Sequence, residues 1–391
     1  MKYWRGYLTA FIFAVITWAL MQFGQSFTGL VDMVYPYVIR TMQNMLAQWS
    51  SSVDFVVWQT VVMVLVIIGL ATAVLMIVLK WNPIQWFGWV LAVASGLYML
   101  YTLVFGLNYF AGPISDDIRL EIGSYTVDEL TEAAEYYRDK ANDLAAQVNR
   151  DAEGNVDFGD FESLAEQTGD GFHKLTYDYS YPIFAGETLP VKKLGWAGWF
   201  TKRGIIGMTM GLTGEACVNP EIPDILLPFS MSHEMAHRMC IFPEEDANFA
   251  AFLAGHVNES VEYQYSAYFM AYRYCYMSLV NANTSQTSAA AARVNSKVSD
   301  ELYQDMTQYN KFFSKVGGSG TAVNTMPDEN GFVSYGKVTD MLVSWHIQEI
   351  VLPSITVVET PFDPYDPSQV DLSGIVNAKD PTEATEATEG Q

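Results

Sequence analysis

The sequence predicts a mainly α protein: three N-terminal membrane-spanning helices, then an α-rich domain with a small β-hairpin or sheet before its central helix. Three observations predict this. Apolar runs of bilayer-crossing length occupy about 7–24, 60–80 and 86–106. From about residue 115 the composition becomes that of a soluble domain with helical periodicity. A glycine-punctuated β-like stretch then leads into His-Glu-Met-Ala-His at 233–237. The expected division is a membrane module over 1–112, a folded domain over 113–358 and an acidic Pro/Thr/Glu-rich tail over 359–391.

The first span, Tyr7 to Phe23, follows Lys2 and Arg5. It is longer than a signal-peptide core and ends in Gln22-Phe23-Gly24-Gln25, without a small-x-small cleavage site, so an uncleaved anchor is expected. Val61 to Leu79 has Thr72 as its one polar exception. Trp86 to Phe105 carries Trp and Tyr at its ends, which suits the headgroup level. In the 24–52 loop, Leu30, Val34, Val38, Met42, Met45, Leu46 and Trp49 recur at helical spacing. They predict an amphipathic segment lying on the membrane or against the other spans. Lys2, Arg5 and Lys80 flank the spans so that the positive-inside rule puts the N-terminus and the 80–85 loop in the cytoplasm. Everything after about residue 108 is then extracytoplasmic; Arg40, between the first two spans, is the basic residue that does not fit.

Thr126-Val127-Asp128-Glu129 forms a capping box that opens a helix to about Val148. A loop at 151–160 and a helix at about 160–177 follow. The run 204–210, a turn at Gly211 to Gly214 and Glu215 to Asn219 predict a hairpin, whose free edge could hold an extended peptide. Helical sequence is expected over 244–256, as one long run from Phe249 to Met277, over 289–316 and over 335–351. Gly317-Gly318-Ser319-Gly320 reads as a flexible loop, and the Thr-Glu-Ala repeat of the tail as disordered. The net charge of −23 argues against a nucleic-acid partner, whose phosphates would be repelled. Cys217, Cys240 and Cys275 are too few for a disulfide framework and read as buried thiols.

The chain has five histidines, and two of them stand at 233 and 237. On a helix, i and i+4 imidazoles project from one face and can grip one metal ion. Glu234 beside them can take a proton from a metal-bound water. A tetrahedral zinc then needs a third protein ligand and an open fourth position. Glu244, Glu245 and Asp246 qualify by type. The E-x-x-A-N spacing selects Glu244, with Asn248 one turn on as a possible orienter of a bound histidine, while Glu245 points about 100° away. An oxyanion donor could be Tyr263, Tyr265, Tyr268, Tyr272, Tyr274, Tyr276, His256, Arg273 or His346; the sequence does not choose.

These residues carry a resemblance. Leu107-Asn108-Tyr109, Thr213 to Asn219, Pro228-Phe229, His233 to His237, Glu244 to Phe249, Tyr265-Ser266 and Ser334-Tyr335-Gly336 are similar to a family of uncharacterised bacterial membrane proteins. That family, a domain of unknown function, carries N-terminal spans and a zincin-like HExxH, which implies a gluzincin-type domain here. The E-x-x-A-N element also resembles the E-x-x-A-D element of CAAX prenyl endopeptidases and beta-lactam-sensor peptidases, which implies Glu244 as third zinc ligand. Asn248 departs from the usual acid, and only six residues separate His237 from Glu244. The expectation is a membrane-anchored zinc metallopeptidase with an extracytoplasmic catalytic domain, cleaving peptides or proteins at the envelope. The alternative is a catalytically silent zinc-binding sensor or scaffold. An intramembrane protease is disfavoured, because His233 lies far along the chain from any span-length apolar run.

Overall fold

A computed structural model describes residues 4–186, 188–316 and 336–353. The 317–320 loop and the 359–391 tail lie outside these. The first helix, α1 (Arg5–Ser26), is followed by α2 (Thr28–Val34) and, after a wide turn at Tyr35–Ile39, by α3 (Arg40–Ser51). Then come α4 (Val57–Val78) and α5 (Pro83–Val104). Among the described residues α1, α4 and α5 are the three helices long and apolar enough to cross a bilayer. Glycines bring α1 and α5 together: a Cβ on Gly6 would lie 2.4 Å from the Gly88 carbonyl carbon. α4 meets α5 near the turn that joins them, where Trp86 Nε1 donates to the Thr72 hydroxyl at 3.2 Å, but its apolar window is wholly unburied.

The segment over 28–51 is helical as its periodicity predicts; Val31 and Tyr35 pack on Leu107, but the face that α3 buries is mostly polar. Arg40, Gln43 and Ser50 are buried, while Met33, Tyr37, Val38, Met45 and Trp49 stand exposed. Arg40 donates from Nε to the Met239 carbonyl (3.0 Å) and from Nη1 to those of Ala185 (3.0 Å) and Pro182 (3.3 Å). Gln43 donates to the Gly211 carbonyl at 2.8 Å. The change of composition near residue 112 is therefore bridged by buried hydrogen bonds, and residues 1–347 form one compact unit.

Beyond the spans come α6 (Ile114–Asp117), α7 (Val127–Ala145) and α8 (Phe161–Tyr177). The Thr126–Glu129 capping box is formed. The strands are β1 (Lys192–Lys193), β2 (Gly207–Met210) and β3 (Glu215–Val218), with the short α9 (Ala197–Thr201) between the first two. They make one sheet in the order β1-β3-β2. β2 and β3 are the expected antiparallel hairpin, with Thr209 opposite Ala216, and β1 adds a parallel strand. α10 (Leu227–Arg238) and α11 (Glu244–Val257) pack on each other and onto α12 (Val261–Ala282). α13 (Ser285–Asn295), α14 (Asp300–Val316) and α15 (Lys337–Trp345) complete the domain.

Two expected helices are interrupted. The run from 249 to 277 breaks between α11 and α12, where the Asn258 side chain accepts the Ser260 N–H at 2.9 Å and turns the chain. The 289–316 run divides before α14, where the Ser299 hydroxyl accepts the Leu302 N–H. The tyrosines of α12 are mostly core residues: Tyr263, Tyr265 and Tyr272 are fully buried. All three cysteines are buried and unbridged.

Candidate metal centre

α10 and α11 meet at a tight reversal. α10 ends in a paired turn in which the Ile241 N–H reaches the Ala236 carbonyl and the Cys240 N–H reaches that of His237, each 3.0 Å. Cys240 takes the left-handed conformation (φ 68°) that such a turn needs and that usually falls to glycine. The turn stops α10 before Pro243, which instead begins α11. It also returns the Ile241 carbonyl to the helix, where it meets His237 Nδ1 at 2.8 Å. That bond fixes the ring and leaves Nε2 to face outward.

His233, His237 and Glu244 converge. Glu244 Oε2 lies 3.3 Å from His233 Nε2, and Oε1 lies 3.5 Å from His237 Nε2. One ligand atom from each lies within 4.8 Å of the others. Donors around a tetrahedral ion with bonds of about 2.0–2.1 Å stand about 3.3–3.4 Å apart, so the three could hold one metal. Hydrogen bonding to the two imidazoles holds the Glu244 carboxyl well below the usual range. Burial works to depress His237, but hydrogen bonding to Glu244 and the charge of Glu234 outweigh it and raise its pKa.

Glu234 lies beside this cluster, 5 % exposed. Burial raises its pKa against the opposing pull of both imidazoles and of Thr209. Thr209 on β2 donates one hydroxyl to Glu234 Oε2 (2.7 Å) and is 2.9 Å from the Glu234 carbonyl. The neighbouring strand residue is Gly207, where a Cβ would lie 2.3 Å from Glu234 Oε1. β2 therefore runs directly against Glu234, and β3 occupies only one of its edges.

Asn248 lines the same cavity but makes no hydrogen bond to either imidazole; the Ile241 carbonyl does that work for His237. Asp246 is turned away, accepting the Ile114 N–H at 3.1 Å, with burial pushing its pKa up to about 6. Of the possible oxyanion donors, Tyr274 alone lines the cavity. Arg273 lies over the Tyr309 ring at 4.1 Å. Tyr263, Tyr265 and Tyr268 bond to Leu164, Asp305 and His256 in the core.

The cavity has a volume of about 540 Å³. Its wall includes Tyr101 and Phe105, from the end of the third span, which the distance along the chain hid. Phe105 packs on Phe242 (5.2 Å between centroids), and Phe242 on His237 (6.4 Å).

Residues 31–343 match the profile of a family described as "Protein of unknown function (DUF3810)". The chain belongs to that family. No curated protein and no solved structure matches it. Membership covers most of the span region and all of the candidate site, while the chemistry must be read from the residues themselves.

Proposed function

We propose that this protein is a membrane-anchored zinc metallopeptidase that hydrolyses peptide bonds of envelope or extracellular proteins, its α-rich domain being extracytoplasmic. The observation that carries the reading is the convergence of His233, His237 and Glu244 beside a buried glutamate and an edge of β2 that no strand among the described residues pairs. Two imidazoles and one carboxylate, with an open cavity beyond them, suit zinc over calcium or magnesium. When bound, zinc would polarise a peptide carbonyl and bring the pKa of a water towards ~7. Glu234, its second oxygen steadied by Thr209, takes the proton of the attacking water and passes it to the leaving amine. Tyr274, which lines the cavity, would be the donor to the developing oxyanion. The free edge of β2 aligns the substrate backbone by main-chain hydrogen bonds. The inside-positive charges favour an external domain, and Arg40 no longer opposes it, since three carbonyls of the fold hold its guanidinium.

Metal analysis and peptide cleavage by the full-length protein in detergent test this. Glu234→Gln is expected to keep stoichiometric zinc and lose about 10²–10⁴-fold in cleavage. Glu244→Ala is expected to lose the metal. Zinc retained by Glu244→Ala removes that residue from the ligand set. Undiminished cleavage in Glu234→Gln removes that residue as the base, whereas no cleavage by the unaltered protein, with biological function unchanged in Glu234→Gln, removes the hydrolase reading and leaves a zinc-binding sensor or scaffold.

A further inference from the structure

The third span ends inside the wall of the candidate site. Tyr101 lies in the last turn of α5, about 4.5 Å along the axis from its end at Val104, and lines the cavity together with Phe105. A residue so placed on a bilayer-length apolar helix sits at the boundary of the hydrocarbon. The same cavity wall also carries the apolar side chains of Ile205, Met208, Phe229 and Met270. An envelope protease for soluble substrates has no need of a membrane helix in its pocket.

Two further contacts hold the site at that level. Glu215, the first residue of β3, accepts the N–H groups of Val57 and Trp58 (both 2.8 Å) and so caps the N-terminus of the second span. Gln43 of α3 holds the hairpin turn through the Gly211 carbonyl. The face of α3 turned away from the domain exposes Met45 and Trp49, which continues the apolar surface of the spans. The hairpin is thus fastened to the outer end of the second span and to α3, which brings β2 close to the level at which the spans end.

Resting on the peptidase reading above, we propose that the cavity takes extended polypeptide segments immediately flanking a membrane anchor, with their apolar side chains against the outer end of α5. The strand edge argues for a polypeptide, because it offers hydrogen-bonding groups at the spacing of an extended backbone. The span end in the wall argues for a segment next to an anchor. Confinement to the same bilayer raises such a segment's effective concentration without any added contact.

The experiment uses the full chain in phosphatidylcholine–phosphatidylglycerol vesicles. The probe is a peptide with a ten-residue degenerate apolar segment carrying a photo-reactive leucine, made with and without an appended single-span helix. Photocrosslinking to Glu234→Gln measures binding without turnover, and cleavage by the unaltered protein measures chemistry. The anchored probe should crosslink at least about tenfold more than the free one, with adducts mapped to 101–105 and 205–209. Crosslinking without cleavage supports the ligand class while overturning the peptidase reading. Equal crosslinking of anchored and free probes, or adducts elsewhere, overturns the inference even if both peptides are cut.

Discussion

Gly207 shows how closely β2 approaches Glu234. The need is for space, since a Cβ would lie 2.3 Å from the carboxylate oxygen. Gly207→Ala should displace Glu234 by a fraction of its length and lower cleavage about 10²-fold, with zinc content unchanged. Full cleavage in that variant would mean that the strand does not position the glutamate. Away from the site, His256 is packed between Phe252, Tyr268 and Trp345, its Nδ1 2.7 Å from the Tyr268 hydroxyl. Burial, aided by the charge of Lys140, lowers its pKa to about 4. Burial against Tyr136 and Tyr137 does the same to His346. A depressed pKa favours the neutral ring in the fold, so this stability is present above about 6.5 and is lost as pH falls towards 4. For His256 it amounts to at most about 3 kcal/mol. Unfolding followed at pH 7.5 and 4.5 should show a smaller acid loss for His256→Gln than for the unaltered protein. At this scale the sequence pointed to the side chains that the fold brings together, His233, His237 and Glu244, with Glu234 beside them. It was silent on the Ile241 carbonyl, a backbone atom that any residue could present.

Among the elements, the hairpin is the one most tied to the rest. Glu215 is 2 % exposed and serves Val57, Trp58 and the Lys192 ammonium (3.0 Å) together. Glu215→Ala would leave two N–H groups without partners and strip the Lys192 ammonium of its counter-charge, leaving it only the Ser50 and Phe55 carbonyls, at a cost of about 3–5 kcal/mol. A clear drop in melting temperature and early proteolysis near 52–56 are expected; an unchanged melt would show that water replaces the carboxylate. The spans, the Thr126–Glu129 capping box and the α10 histidine pair follow local rules and were readable. The breaks at 258–260 and before α14 depend on single polar side chains turning to the backbone, which periodicity alone does not register. β1 is two residues long, too short to leave a pattern. The 28–51 helices were readable as amphipathic, but which face is buried depends on distant carbonyls at 182, 185, 211 and 239.

For the whole molecule, the orientation of the domain decides which substrates it can meet. The buried native cysteines should give little background to a membrane-impermeant maleimide. Glu153→Cys, on an exposed loop, should label in intact cells, and Lys80→Cys only after permeabilisation. The opposite pattern would place the domain in the cytoplasm and remove envelope proteins from its reach. Composition announced three apolar runs of membrane-crossing length, and these are helices, but it could not reveal how they interlock with the rest of the chain.

Arg40 and Gln43 together satisfy four carbonyls belonging to the segment beyond residue 112. A fragment begun at that point would leave those oxygens facing a vacated groove, each a polar group without its donor. The domain beyond residue 112 is therefore expected to lose stability when cut from the helices before it. Its anchor is part of its interior, and the smallest working unit reaches back at least to the helices that precede the second span.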